Sequence, residues 1–159
     1  MKESEILTKV LWFNRIAIFI VFFWFGFLKV IHISPAETLV QHLHQVTIGS
    51  LISIDTFVPL LGYLECTIGV LFLLPKFTRV AFGLFIVQMS ATFLPLFLLP
   101  KDTWSGFALS LTGQYIVKNV VLVAAAYAVY VGHHNSRKTG DNKKVNTRQS
   151  GITEPMALQ

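Results

Sequence analysis

Four apolar stretches, each long enough to cross a membrane, constrain this chain more than any other feature. They cover about residues 11–31, 56–74, 79–99 and 113–131. About 20 apolar residues in a helix cross a hydrocarbon layer of about 30 Å, since each residue rises 1.5 Å. A backbone in lipid must satisfy its own hydrogen bonds, so each stretch is predicted to be a helix. The sequence therefore predicts an all-α integral membrane protein, a four-helix bundle.

The connections between these helices carry their own signals. Residues Ser34, Pro35 and Glu37 match a helix start with a capping box, in which serine and glutamate bond each other's backbone N–H groups. The apolar residues that follow recur every three or four positions, which predicts a short amphipathic surface helix between helices 1 and 2. Pro95 is expected to bend the third helix.

Both ends of the chain are predicted to lie outside the membrane. Residues 1–10 form a cytoplasmic N-terminus, and Gly132 is expected to end the fourth helix. Residues 132–159 are polar and nearly free of aromatic residues, which predicts a disordered basic cytoplasmic tail.

The positions of lysine and arginine predict the topology. They concentrate before helix 1, in the turn between helices 2 and 3, and after helix 4. The 32–55 connection has none, and the 100–112 connection has only Lys101. By the positive-inside rule, both termini are cytoplasmic. The basic tail is expected to lie near anionic membrane lipid, and nucleic acid is not predicted as a partner because no aromatic residues interleave with its charges.

Ionisable residues inside the predicted spans indicate a site. A charge at the centre of a membrane helix costs about 2.5–3.5 kcal/mol, so such residues are usually paired and functional. Glu65 lies near the predicted midplane, whereas Lys29 and Lys118 lie in the outer half. Glu65 is expected to pair with a lysine, and glycines Gly26, Gly62 and Gly69 on the same faces would let the helices approach closely. Two lysines and one carboxylate leave about +1, which suits a quinone carbonyl or a small anion.

The predicted roles follow from these residue types. Glu65 is the candidate catalytic residue, which would accept or relay a proton. The predicted ligand-binding residues are Lys29, Lys118, Gln114, Tyr115, His32, Gln88 and Thr92. No metal site is expected, because His42 and His44 lie about 200° apart around a helix. The single cysteine, Cys66, excludes dithiol chemistry within this chain, and no cofactor ligand other than a quinone is suggested.

Several segments resemble a known family. They read "FFWFGFLKV", "LGYLECTIGVLFLLP", "TFLPLFLLPKDTWS" and "LSLTGQYIVKNVVLVAAA". Together they resemble the DoxX-like superfamily of small four-helix membrane proteins, and most closely its branch of bacterial inner-membrane proteins linked to reactive-chlorine resistance. The resemblance covers about residues 10–131. It implies a bacterial inner (plasma) membrane location and a role in redox or oxidative-stress defence, with a soluble or membrane oxidoreductase as partner.

Three functional hypotheses remain open from the sequence. The first is a redox accessory subunit that binds a quinone or another small ligand in an intramembrane polar pocket. The second is a small carrier or channel for a proton, an anion or a solute, in which Glu65 is the gate charge. The third is a structural subunit of an oxidoreductase complex, in which an ion pair fixes the helix packing. Homo-oligomerisation and catalysis by the chain itself are left open.

Overall fold

The computed structural model describes residues 3–135, and it is about 82% helical with almost no strand. The helices are named α1 to α8 in chain order, and α5 and α6 are single turns. Their bounds are α1 Glu3–Val30, α2 Glu37–Thr47, α3 Ile54–Leu73, α4 Thr78–Phe93, α5 Pro95–Leu98, α6 Pro100–Thr103, α7 Leu111–Val117 and α8 120–135. A 3₁₀ turn, Pro75–Phe77, joins α3 to α4.

A two-stranded hairpin separates α6 from α7. Strand β1 (Trp104–Ser105) pairs antiparallel with β2 (Ala108–Leu109). Gly106 in the connecting turn has φ +63°, a conformation that glycine adopts at no steric cost.

Four helical segments are long and apolar enough to cross a membrane. They are Glu5–Val30, Ile54–Leu73, Pro75–Leu98 and Leu111–Asn135. Large apolar side chains on their outer faces are exposed, among them Phe13 at 73% and Val121 at 69%. Apolar surface of this extent is rare on monomeric soluble proteins. The fold therefore indicates a multi-pass membrane protein.

One hydrophobic core receives residues from all four segments. Phe72 and Phe85 form its centre, with ring centroids 5.8 Å apart in an edge-to-face arrangement, and both are fully buried. The remaining buried members are Ile18, Phe22, Ile68, Ala81, Met89, Ala126 and Val129.

The α1–α3 pair forms an extensive helix contact, and glycine makes it possible. A Cβ atom on Gly26 would lie 2.6 Å from the carbonyl oxygen of Gly62, and one on Gly62 would lie 2.6 Å from that of Gly26. A Cβ on Gly69 would meet the backbone nitrogen of Phe23 at 3.2 Å. The two backbones therefore approach as closely as small-residue packing in membranes allows.

The two ends of the molecule differ. We call the end with the 31–53 and 99–110 connections the loop end, and the end with residues 74–77 the turn end. At the turn end, Arg15 is 5% exposed, and its guanidinium donates to the Phe72 carbonyl at 2.7 Å and to the Thr78 hydroxyl at 2.8 Å. Gly132 lies against Leu11, so residues 11 and 132 share this end.

Several boundaries differ from the sequence prediction. Helix α1 begins at Glu3 rather than near residue 11, since its polar first turns still form helical hydrogen bonds outside the apolar stretch. The third helical segment breaks at Pro95, which starts the separate turn α5. The fourth segment is interrupted at residues 118–119, between α7 and α8.

Gly132 does not end the fourth helix, because α8 continues to residue 135. A Cβ at this position would lie 2.5 Å from a Leu11 methyl carbon, so the glycine provides packing space for α1. The predicted tail therefore begins too early, and its residues 136–159 lie outside the part that the structure describes.

The predicted capping box does not form. Helix α2 starts at Glu37, and its N-cap Ala36 has no side-chain hydrogen bond. Ser34 instead accepts a hydrogen bond from the Ala36 N–H through its hydroxyl at 3.3 Å, which makes a local turn. The Glu37 carboxylate faces the His32 ring, with 3.6 Å between Oε1 and Nδ1.

Candidate functional site: a buried ion pair between three helices

A lysine and a glutamate meet in the interior of the molecule. Lys29 Nζ of α1 lies 2.5 Å from Glu65 Oε2 of α3, and the two residues are 6% and 9% exposed. The crossing at Gly26 and Gly62 brings the two helices close enough for this pair, since Gly62 lies against the Lys29 Cβ. The sequence prediction that Glu65 pairs with a lysine thus corresponds to a direct contact with Lys29.

A third helix completes the cluster. Gln88 of α4 is 5% exposed, and its side-chain amide donates to Glu65 Oε1 at 3.1 Å. Thr92 lies one turn further along α4, where its hydroxyl donates to the Gln88 backbone carbonyl at 3.0 Å. Lys29, Glu65 and Gln88 are called the polar cluster below. Thr92 lies next to the polar cluster, but its hydroxyl bonds to the backbone of its own helix, α4.

The end of α1 also favours a cation in the cluster. Lys29 lies in the last turn, where the partial negative charge of the helix C-terminus stabilises a positive side chain. Two backbone bonds close the helix: Ile33 N–H donates to the Leu28 carbonyl at 3.0 Å, and His32 N–H donates to the Lys29 carbonyl at 3.3 Å. These are the two bonds of a Schellman motif.

His32 occupies the position of this motif that glycine usually fills. Its φ of 56° is left-handed, which costs an L-residue about 1–2 kcal/mol. Its half-exposed side chain is directed to Glu37 rather than to the polar cluster. Among residues 3–135, no contact joins His32 to the polar cluster, so its part in ligand binding stays a prediction.

Lys118 lies outside the polar cluster. It is exposed, and its Nζ lies 4.0 Å from the ring centroid of Tyr115, with no carboxylate within ion-pair distance among residues 3–135. Gln114 is also exposed and donates to the Leu109 carbonyl at 3.2 Å. Among residues 3–135, no contact joins Lys118, Gln114 or Tyr115 to Glu65, and all three are exposed, so their part in the site stays a prediction.

The net charge of the polar cluster therefore differs from the value that the sequence predicts. With Lys118 elsewhere, one ammonium faces one carboxylate and the net charge is zero. The expected value of about +1 depended on two lysines. A small anion thus loses the electrostatic attraction that the sequence suggested.

Sequence reasoning missed two polar contacts. The positive-inside rule uses Arg15, at the start of helix 1, only as an orientation signal, whereas the structure buries it and joins it to both α3 and α4. His42 and Asp102 join α2 to α6 at the loop end, with 2.8 Å between Nδ1 and Oδ2. The only signal for Arg15 was a charge within helix 1, and no local signal connected residues 42 and 102.

A cavity of about 370 Å³ lies at the loop end and not at the polar cluster. It is lined by Gln41, His44, Gln45, Gly49, Ser53 and Ile54. The His44 ring, which is buried, donates from Nε2 to the Ile52 carbonyl at 2.7 Å and so supports the wall of this cavity. The cavity is open and has no charged side chain, so the polar cluster remains the stronger candidate site.

The fold and the polar cluster together define a class: a chain with four helices fit to cross a membrane and an ion pair buried between three of them. Comparison with protein-family models, with curated proteins and with solved structures gave no significant match. The function therefore has to be argued from the site itself.

Proposed function

We propose that the chain is a four-helix bundle in the bacterial plasma membrane that binds a small, lipid-soluble ligand of the quinone type at the polar cluster. In this proposal it serves as an accessory subunit in redox or oxidative-stress defence, with an oxidoreductase as partner. The family resemblance supports the cellular role, and the buried Lys29–Glu65 pair carries the binding site. Both termini face the cytoplasm, as the distribution of basic residues predicts.

The hydrogen-bond inventory of Lys29 supports ligand binding. An ammonium group has three N–H donors, and within residues 3–135 Lys29 uses one, to Glu65. The side chains of Lys29 and Glu65 keep 8% and 12% of their surface exposed, so the ion pair is not completely enclosed by protein. A ligand oxygen that enters there would accept from Lys29, while Glu65 is placed to accept a proton from the same ligand.

A structural role is the second candidate, and one observation favours it. Both carboxylate oxygens of Glu65 are already bonded, one to Lys29 and one to Gln88. Buried polar groups of this kind can fix the register of packed helices. In this case the cluster would hold α1, α3 and α4 together without any ligand.

Quinone binding by purified protein in lipid nanodiscs separates the two candidates. We expect saturable binding of a short-chain quinone to the wild type and to Lys118→Met, which changes an exposed lysine outside the cluster. Binding should be lost in Glu65→Gln. The charge swap Lys29→Glu/Glu65→Lys keeps the ion pair and controls for loss of the fold. Unchanged quinone binding in Glu65→Gln and in the charge swap, or no binding to the wild type, would leave only the structural role.

A further inference from the structure

The hairpin at the loop end, residues 104–109, has an apolar tip that the described part of the chain leaves uncovered. Among residues 3–135, Phe107 is the most exposed of the large apolar side chains. It follows Gly106, whose left-handed φ of +63° forms the turn. Trp104, at the base of the hairpin, is 42% exposed. Burial of an aromatic ring is favourable because it removes a large apolar area from water, so this tip is a candidate contact surface.

The hairpin is held in place by hydrogen bonds at both of its ends. The Trp104 indole N–H donates to the Leu96 carbonyl of α5 at 3.1 Å. At the other end, the Ser110 N–H donates to the Thr103 carbonyl at 2.9 Å, and Thr103 is fully buried. The bond from Trp104 also satisfies the only polar group of its ring, so the indole can enter apolar surroundings without an unpaired donor. The hairpin is therefore fixed relative to the two apolar segments that flank it.

The tip lies close to the start of the fourth apolar segment. Phe107 precedes Leu111, the first residue of that segment, by four positions, and four residues extend over at most about 14 Å. The segment has 25 residues and a helical length of about 37 Å, so it exceeds a hydrocarbon core of about 30 Å and its ends reach the headgroup regions. Phe107 is therefore within reach of the lipid headgroups and of the acyl chains beneath them.

The surroundings of the hairpin favour lipid over a protein partner. Residues 103–117 contain no aspartate, glutamate, lysine, arginine or histidine. Leu111, two positions after β2, is 70% exposed. Phe97, which follows the Leu96 contacted by Trp104, is 77% exposed. Leu111 and Phe97 both belong to segments fit to cross a membrane, so the exposed apolar surface of these segments continues up to the hairpin. A docking site for a water-soluble protein has a polar rim instead.

We propose that this hairpin is an interfacial anchor, which inserts Phe107 into the lipid leaflet at the loop end. The Trp104 ring then lies at headgroup level, where tryptophan is enriched in membrane proteins. The partner is the phospholipid bilayer itself, and the insertion holds the connection between α6 and α7 against the membrane surface. The anchor uses no residue of the polar cluster, so its test is independent of quinone binding.

Tryptophan fluorescence tests the anchor, because the chain contains only three tryptophans, Trp12, Trp24 and Trp104. The tip variant replaces all three by phenylalanine and adds Phe107→Trp, so its single indole reports the tip. The purified full chain is placed in phosphatidylcholine nanodiscs, with and without bromine on the acyl chains, which quenches indoles that lie in the leaflet. We expect the tip variant to lose most of its fluorescence in brominated lipid. It should also be shielded from iodide in the water, relative to free N-acetyltryptophanamide.

Two matched variants control this measurement. Trp12→Phe/Trp104→Phe keeps only Trp24, which is 59% exposed within the apolar part of α1 and gives the signal of a lipid-facing ring. Trp12→Phe/Trp24→Phe keeps only Trp104 and leaves Phe107 unchanged. It should also be quenched by brominated lipid, and it decides the question if the tip variant does not fold.

Quenching of the tip variant by brominated lipid to the level of the Trp24 variant supports the anchor. A tip that iodide quenches and brominated lipid does not stands in water, and this result overturns the proposal. A tip that neither quenches is covered by protein, from this chain or from a second copy, and this result overturns it as well. If only the Trp104 variant folds, the absence of quenching by brominated lipid overturns the proposal.

Discussion

Removing Lys29 tests the central feature of this molecule, the buried ion pair. In Lys29→Met the Glu65 carboxylate, 9% exposed, keeps only its hydrogen bond from Gln88. Breaking a buried pair on one side costs about 3–5 kcal/mol, because the remaining charge is uncompensated. Lys118→Met is the matched control, since that lysine is exposed and contacts only Tyr115 in the described part of the chain. Its loss should cost less than about 1 kcal/mol.

The double variant Lys29→Met/Glu65→Gln makes the prediction sharper. It removes both charges and keeps an acceptor for Gln88, so its stability should return to within about 1 kcal/mol of the wild type or exceed it. The assay is reversible unfolding in mixed micelles, with SDS as denaturant and tryptophan fluorescence as signal. A double-mutant cycle gives the coupling energy between the two sites. A coupling energy near zero, or equal losses in Lys29→Met and Lys118→Met, would refute the reasoning.

Three further predictions use the same unfolding assay. Gly26→Ala should lower the free energy of unfolding by about 1–3 kcal/mol, because its Cβ would meet backbone atoms of α3. Gly83→Ala, whose Cβ would have nothing within 4 Å, should cost no stability, and equal effects of the two changes would contradict the close approach of α1 and α3. Arg15→Lys should cost about 1.5–3 kcal/mol, since one of two hydrogen bonds from a charged donor is lost, and a neutral result would mean that the contact is dispensable. His32→Gly should be about 1–2 kcal/mol more stable than His32→Ala, because only glycine adopts φ 56° freely, and the reverse order would contradict the assigned conformation.

The spans and the ion pair could be predicted from the sequence because they depend on simple physical rules. Length and apolarity determine which segments can cross a membrane, and the cost of a charge in lipid requires a partner for Glu65. The depth of each residue along its helix then selects a small number of partners. Lys29 was one of the two lysines named, and the structure joins it to Glu65 at 2.5 Å.

The rotation of the fourth segment could not be predicted in this way. A helix that is apolar on all sides has no periodic face, so its sequence does not show which residues point inward. Depth alone placed Lys118 with Glu65, but the structure turns it outward over Tyr115. The interruption at residues 118–119 is also not indicated by a proline or glycine at those positions.

The burial of Arg15 could not be predicted from the sequence, for a different reason. The positive-inside rule counts basic residues near the ends of spans and says nothing about their contacts. Its acceptors, Phe72 and Thr78, lie 57 and 63 residues later in the chain. Contacts at such separations follow from the packing of α1 against α3 and not from any local pattern.

These long separations have a consequence for biosynthesis. At about 5–20 residues per second, the ribosome adds Glu65 about 2–7 s after Lys29, which precedes it by 36 positions, and Phe72 about 3–11 s after Arg15. During that interval two cations of the first helix have no counterpart, so its early release into lipid is unfavourable. We therefore expect nascent α1 to be retained at the translocation machinery until α3 emerges, so that the two helices enter the bilayer as a pair.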